Sequence, residues 1–145
     1  MKHAADWAPS PQLTQTLDEM QQRLRADPTP AKNVIIADWH SWRVLRYYLE
    51  FDTRKAYVDL RASTTLVRGP LTGHAELAAL VAATRDDAQA RAGVTRIWLV
   101  VTKLDRFEAL LSDPLVRELA VDTRRFATHD PAYHPILVEL RVRGR

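Results

Sequence analysis

The chain has 145 residues, 46 % of them hydrophobic and 27 % charged, which suits one folded domain with a single core. It has no cysteine, so disulfides, thiolate metal sites and cysteine nucleophiles are excluded, and redox compartment is left undecided. Its 21 basic and 18 acidic residues interleave to a net charge of +3, too weak a cationic field to make specific nucleic-acid binding the expected role.

The opening residues 1–10 read as a Pro-containing, disordered lead-in without the apolar core of a signal peptide. Leu13, Leu17, Met20 and Leu24 then recur at spacings of four, three and four, one apolar stripe on a helix that Asp27-Pro28 ends. Asn33 to Asp38 (NVIIAD) is a short apolar strand. WHSWRVLRYYLEF follows with a helical stripe of Trp42, Leu45, Tyr48 and Leu49. Lys55 to Leu60 (KAYVDL) is expected to be the next strand. RASTTLVRGPLTG reads as a long loop with a short extended piece at TTLV.

A second strong helix spans HAELAALVAATRDDAQARAG, with Leu77, Leu80, Val81 and Ala88 inward and Gly93 as its stop. TRIWLVVT is a buried strand. Its apolar core IWLVV, like every other apolar run in the chain, falls far short of the roughly 18–20 residues that span a bilayer. A short helix starts at Asp113 with Pro114 in its first turn. VDTRRFATH and PILVELRVR read as strands joined by a long hairpin loop. The last alternates Leu137, Glu139, Arg141 and Arg143 against Val138, Leu140 and Val142, so that one face is wet and one buried. Leu45, Tyr48, Val100 and Leu137 are expected in the core.

This order, α-β-α-β-α-β-α-β-β, predicts an α/β fold: a three-layer, Rossmann-like domain over residues 1–145, with a mostly parallel sheet of about five strands and a C-terminal antiparallel hairpin. In such sheets ligands bind outside the carboxyl ends of the strands. Asp38, His40 and Arg43 follow one strand end; Thr102, Lys103 and Asp105 follow another. These six are the candidate ligand-binding residues, their rim suited to a phosphate, a carboxylate or an anionic lipid head group. The competing assignment is plain: Asp38 or Ser41 caps the helix, and the tryptophans pack.

The T-K-L-D at Thr102 to Asp105 matches the guanine-binding element of P-loop GTPases. Guanine recognition needs a partner loop of the form G-x-x-x-x-G-K-[S/T], and none of the four glycines (Gly69, Gly73, Gly93 and Gly144) begins one. The five histidines show no metal-ligand spacing: His129 and His134 flank Asp130 in a loop with no third ligand. No G-x-S-x-G elbow is present. The hydroxyls of RASTT beside Arg61 and Arg68 offer a phosphate site or, more simply, a polar loop. Arg141, Arg143 and Arg145, placed near Arg124 and Arg125, would touch phosphates or keep an edge strand soluble. No metal, cofactor or catalytic residue is expected.

The segment order resembles the C-terminal domain of bacterial membrane glycosyltransferases that use lipid-linked sugars, the superfamily of protein O-mannosyltransferases and aminoarabinose transferases. The resemblance runs from about Leu13 to Arg143. It is carried by the helix TLDEMQQRLRAD, the strand NVIIAD, the aromatic helix HSWRVLRYYL, the strand RIWLVVTKLDRF, and the closing VRELAVDTRRF and ILVELRVR. It implies an accessory, non-catalytic domain on the extracytoplasmic face, with the membrane part of the transferase or lipid head groups as partners. In that superfamily the catalytic carboxylate and the donor lie in the membrane part, so no catalytic residue carries over. The alternatives are a stand-alone small-molecule or nucleotide-binding protein, which would place the chain in the cytoplasm, and an interaction module without a ligand.

Overall fold

A computed structural model describes residues 13–51, 56–71, 73–102, 108–126 and 134–145. The expected lead-in over residues 1–10 lies outside them. In chain order the elements are α1 (Thr14–Ala26), β1 (Ala31–Ala37), α2 (Trp39–Arg46) running on into a wider π turn (Tyr47–Phe51), α3 (Val58–Ser63), β2 (Thr64–Arg68), α4 (His74–Gln89), β3 (Val94–Val101), a 3-10 turn (Glu108–Ser112), α5 (Pro114–Leu119), β4 (Ala120–Arg125) and β5 (Ile136–Arg143).

The strands form one mixed sheet in the order β2-β1-β3-β5-β4. β1 pairs parallel with β2 and β3, and β5 runs antiparallel to both β3 and β4. Four strands therefore point one way and β5 alone opposes them. The closing hairpin is present, but its second strand is inserted between β3 and β4, leaving β4 as the edge.

Each face of the sheet has its own apolar cluster, because strand residues alternate sides. Val34, Ile36, Ile97, Leu99, Val138 and Leu140 pack with Leu77 and Val81 of α4 and with Leu110 and Val116. Ile35, Ala37, Trp98, Val100 and Leu137 pack with Leu17 and Met20 of α1, Leu45, Tyr48 and Leu49 around α2, and Leu60 of α3. Leu45, Val100 and Leu137 are fully buried and Tyr48 nearly so, as the apolar stripes imply. Burying each such large side chain contributes about 1.5–3 kcal/mol.

Three expectations change. First, KAYVDL is not a strand over its described part: Val58–Ser63 is the helix α3, and the strand is Thr64–Arg68. The burial shows why. Tyr57 and Leu60, three apart, are buried while Val58 between them is exposed, which is helical spacing. β2 escapes an apolar-run reading because it is an edge strand, half-exposed and rich in threonine.

Second, β5 has no continuous wet face. Leu137 and Glu139 are buried because α1 lies over that side, and only Arg141 and Arg143 at the strand's end are exposed. The Glu139 carboxylate is held by Arg23 of α1 at 3.1 Å and by Arg141 at 2.8 Å. Third, Arg141 and Arg143 do not gather with Arg124 and Arg125. The register sets Arg124 opposite Leu137 and Arg125 opposite Ile136, at the far end of β5. Arg124 pairs with Glu19 and stacks on Phe126, and Arg141 reaches Asp27 as well as Glu139.

These arginines belong to a network that ties α1 to the sheet. Arg23 also meets Asp122 at 2.6 Å, and Asp27 meets the buried Arg96 at 2.8 Å. The Asp27 carboxyl is lowered to about 2, first by its hydrogen bonds with Thr29 and then by Arg96. For Glu19, burial raises the pKa, but the hydrogen bonds and charges of Arg124 and Arg23 outweigh it, so the net shift is downward.

Candidate functional site

The chain leaves β1 toward β2 on one side and reaches β3 on the other, so the gap between the ends of β1 and β3 is the sheet's topological switch point. β1 ends there firmly stitched on both flanks. The Asp38 N–H donates to the Val100 carbonyl at 3.1 Å, and the Ala37 carbonyl accepts from the Gly69 N–H at 2.7 Å. The Trp39 N–H donates to the Pro70 carbonyl at 2.9 Å. Gly69 is required by this approach: a Cβ there would run into the Ala37 carbonyl oxygen and Leu77.

Asp38 is the N-cap of α2. Its carboxylate accepts from the Ser41 N–H at 3.0 Å, the spacing expected when a short acidic side chain precedes a helix. The Ser41 hydroxyl donates to Thr102 Oγ1 at 3.1 Å, and the Thr102 hydroxyl donates to the second Asp38 oxygen at 3.5 Å. Asp38 and Ser41 are fully buried and Thr102 nearly so. The three side chains close a polar ring across the switch point, each satisfying another, as buried polar groups require.

Of the six residues nominated from sequence, the fold brings Asp38 and Thr102 together. His40 and Arg43 lie on α2 beside them but engage a different group, the indole of Trp39. The His40 ring meets it edge-on at 5.7 Å, and the Arg43 guanidinium lies over it at 4.9 Å. Lys103 and Asp105 lie outside the described residues. From the sequence Ser41 reads only as a cap. Its hydroxyl in fact joins the two strand ends, and the D-x-x-S spacing carries the signal for its backbone role alone.

The hydroxyls of RASTT do not form a phosphate loop. Thr64 and Thr65 are in β2, the Arg61 Nη2 donates to the Tyr48 carbonyl at 3.0 Å, and Arg68 lies over the Trp42 ring at 5.5 Å. Among the described residues no three His, Asp or Glu side chains group to hold a metal ion, and no helix is long and apolar enough to cross a membrane.

No protein-family model, no curated protein and no solved structure matches the chain.

Proposed function

We propose that the chain is an accessory, non-catalytic domain of a membrane-embedded glycosyltransferase that takes sugars from polyprenyl-phosphate donors. It is a three-layer, Rossmann-like module that positions acceptor or partner at the extracytoplasmic face. The observation that carries the reading is the polar ring that, among the described residues, ties Asp38 to Ser41 and Thr102 at the switch point. Where Rossmann-like sheets hold their ligands, both Asp38 carboxylate oxygens are engaged by Ser41 and Thr102. A carboxylate buried as a cap stabilises the fold and is withheld from proton transfer or ligand contact. The segment order supports the same reading. Helix α1, strand β1, the aromatic helix α2, the central strand β3 and the polar strand β4 before β5 stand in the order on which the resemblance rests.

An antibody raised against the domain tests this in the cells that produce it. The reading expects the signal in a carbonate-resistant membrane fraction, on a polypeptide large enough to carry many spans or in a stable complex with one. Deleting the domain should then lower sugar transfer from the polyprenyl-phosphate donor. A freely soluble protein with no transferase attached, or transfer unaffected by the deletion, overturns it.

A further inference from the structure

The outer side of α2 carries a row of rings and guanidinium groups. Trp39 and Trp42, three apart, share one side of the helix and are half-buried. Arg43 lies over Trp39 at 4.9 Å, and Arg46 lies over Trp42 at 5.2 Å and over Phe51 at 5.0 Å. Arg68, from the end of β2, also lies over Trp42 at 5.5 Å. The bond from the Trp39 N–H to the Pro70 carbonyl draws the following residue, Leu71, to the same edge. Phe51 is 58 % and Leu71 53 % exposed, two of the few large apolar side chains left open to solvent among the described residues. Glu50 is paired with Arg46 at 3.0 Å, and among the described residues the row stays net positive.

This combination has a specific chemistry. A guanidinium lying on a ring uses its flat face there and keeps its N–H edge for phosphate oxygens. Indole and phenyl rings with one wet edge suit the headgroup region of a bilayer, where apolar bodies are buried and polar edges stay hydrated. Exposed Phe51, beside Arg46, and Leu71, next to the Pro70 bonded to Trp39, offer apolar depth that a phosphate chain in water would not need.

We propose that this face of α2, with the end of β2, docks on an anionic lipid bilayer. Arg43 and Arg68 meet lipid phosphates, Arg46 being held by Glu50, while Phe51, Leu71 and the open edges of Trp39 and Trp42 enter the headgroup layer. The inference deepens the reading above by naming the surface beside which the domain works.

The test uses the full chain carrying Trp7→Phe, which leaves Trp39, Trp42 and the fully buried Trp98 as fluorophores. Vesicles of phosphatidylcholine, with and without phosphatidylglycerol and with brominated acyl chains, are offered at low and high salt. The protein should float with the anionic vesicles only, lose indole fluorescence to bromine, and detach as salt rises. Arg43→Gln and Arg68→Gln, both at exposed positions, should each weaken partitioning about fivefold, and Phe51→Ser should weaken it without changing the salt dependence. Arg117→Gln on α5 should leave it unchanged, and thermal melts should show every variant folded.

Equal binding to neutral vesicles, no flotation, or an Arg117→Gln loss as large as that of Arg43→Gln overturns the proposal. So does tighter binding to a single-stranded oligonucleotide than to anionic vesicles. Failure here with a carbonate-resistant transferase in cells removes only the docking face. Success here with a freely soluble cellular protein keeps the docking face and removes the transferase reading.

Discussion

The Ser41 hydroxyl donates to Thr102 Oγ1 at 3.1 Å, joining the first turn of α2 to the end of β3 across 61 residues of chain. Thr102 in turn reaches Asp38, so one small ring of side chains locks two parallel strand ends and a helix start together. Thr102→Val keeps the shape and removes the hydroxyl, leaving the Ser41 hydroxyl and an Asp38 oxygen short of a partner. Such a loss in a buried site costs about 1–3 kcal/mol, and denaturant melts should show it. Asp38→Asn retains an N-cap and should lose less than Asp38→Ala, whose lost cap alone costs about 0.5–2 kcal/mol. Equal losses for the two would mean that the carboxylate does not cap α2.

The clusters on the two faces predict a second result. Leu45 and Leu137 are fully buried in the cluster beneath α1 and α2. Leu45→Ala or Leu137→Ala should cost about 2–5 kcal/mol through lost burial and the cavity left behind. Less than about 1 kcal/mol for both would contradict the packing of α1 and α2 on this face.

Much of this fold is legible in the sequence because its periodicities are strong. The stripes of α1 and α4 and the apolar runs of β1 and β3 bury most of what their spacing implies, Leu24 and Leu80 only in part, and Asp113-Pro114 starts α5 with the Asp113 side chain accepting from Leu115 and Val116. What was not legible depends on neighbours distant in sequence. Tyr57 and Leu60 fit a strand or a helix over so short a span, and only their packing against α1 and the π turn decides. Glu139 reads as solvent-facing until Arg23, 116 residues away, supplies its partner. At the candidate site, Asp38 and Thr102 were legible as strand ends, which a parallel sheet brings to one rim. The Trp–Arg row was not, because Arg68 comes to Trp42 only through the pairing of β2 with β1.

Acid should loosen the grip of α1 on the sheet. Asp27 is lowered to about 2 from an ordinary 3.8, so the folded state binds its proton more weakly than the unfolded chain does. Its contribution is therefore fully present above about 4 and is lost as the pH falls through that value toward 2. Asp27→Asn should flatten the decline of stability between those limits and leave the buried Arg96 without its ion partner. Melting temperatures measured across that range give the comparison. An unchanged acid slope in the variant would show that Asp27 does not drive it.

The last prediction concerns the close approach at the switch point. Gly69 sits where β2 turns away from β1, its N–H bonded to the Ala37 carbonyl and its open side facing Leu77 of α4. The position is glycine for lack of space, so the methyl of Gly69→Ala must displace the backbone oxygen of Ala37. Strand β1 holds that oxygen and has little freedom to yield, since its next residue is bonded to Val100 and to Ser41. Overpacking of this kind costs about 1–3 kcal/mol. By contrast, Gly73→Ala has open space around its Cβ, and its cost comes from the left-handed backbone at φ +97° alone. Denaturant melts of the two variants measure stability, and amide shifts of Asp38, Ser41 and Thr102 report on the ring. Gly69→Ala should move all three resonances while Gly73→Ala leaves them in place. If Gly69→Ala instead shifts none of them, the ends of β1 and β2 are not packed as closely as the hydrogen bonds require.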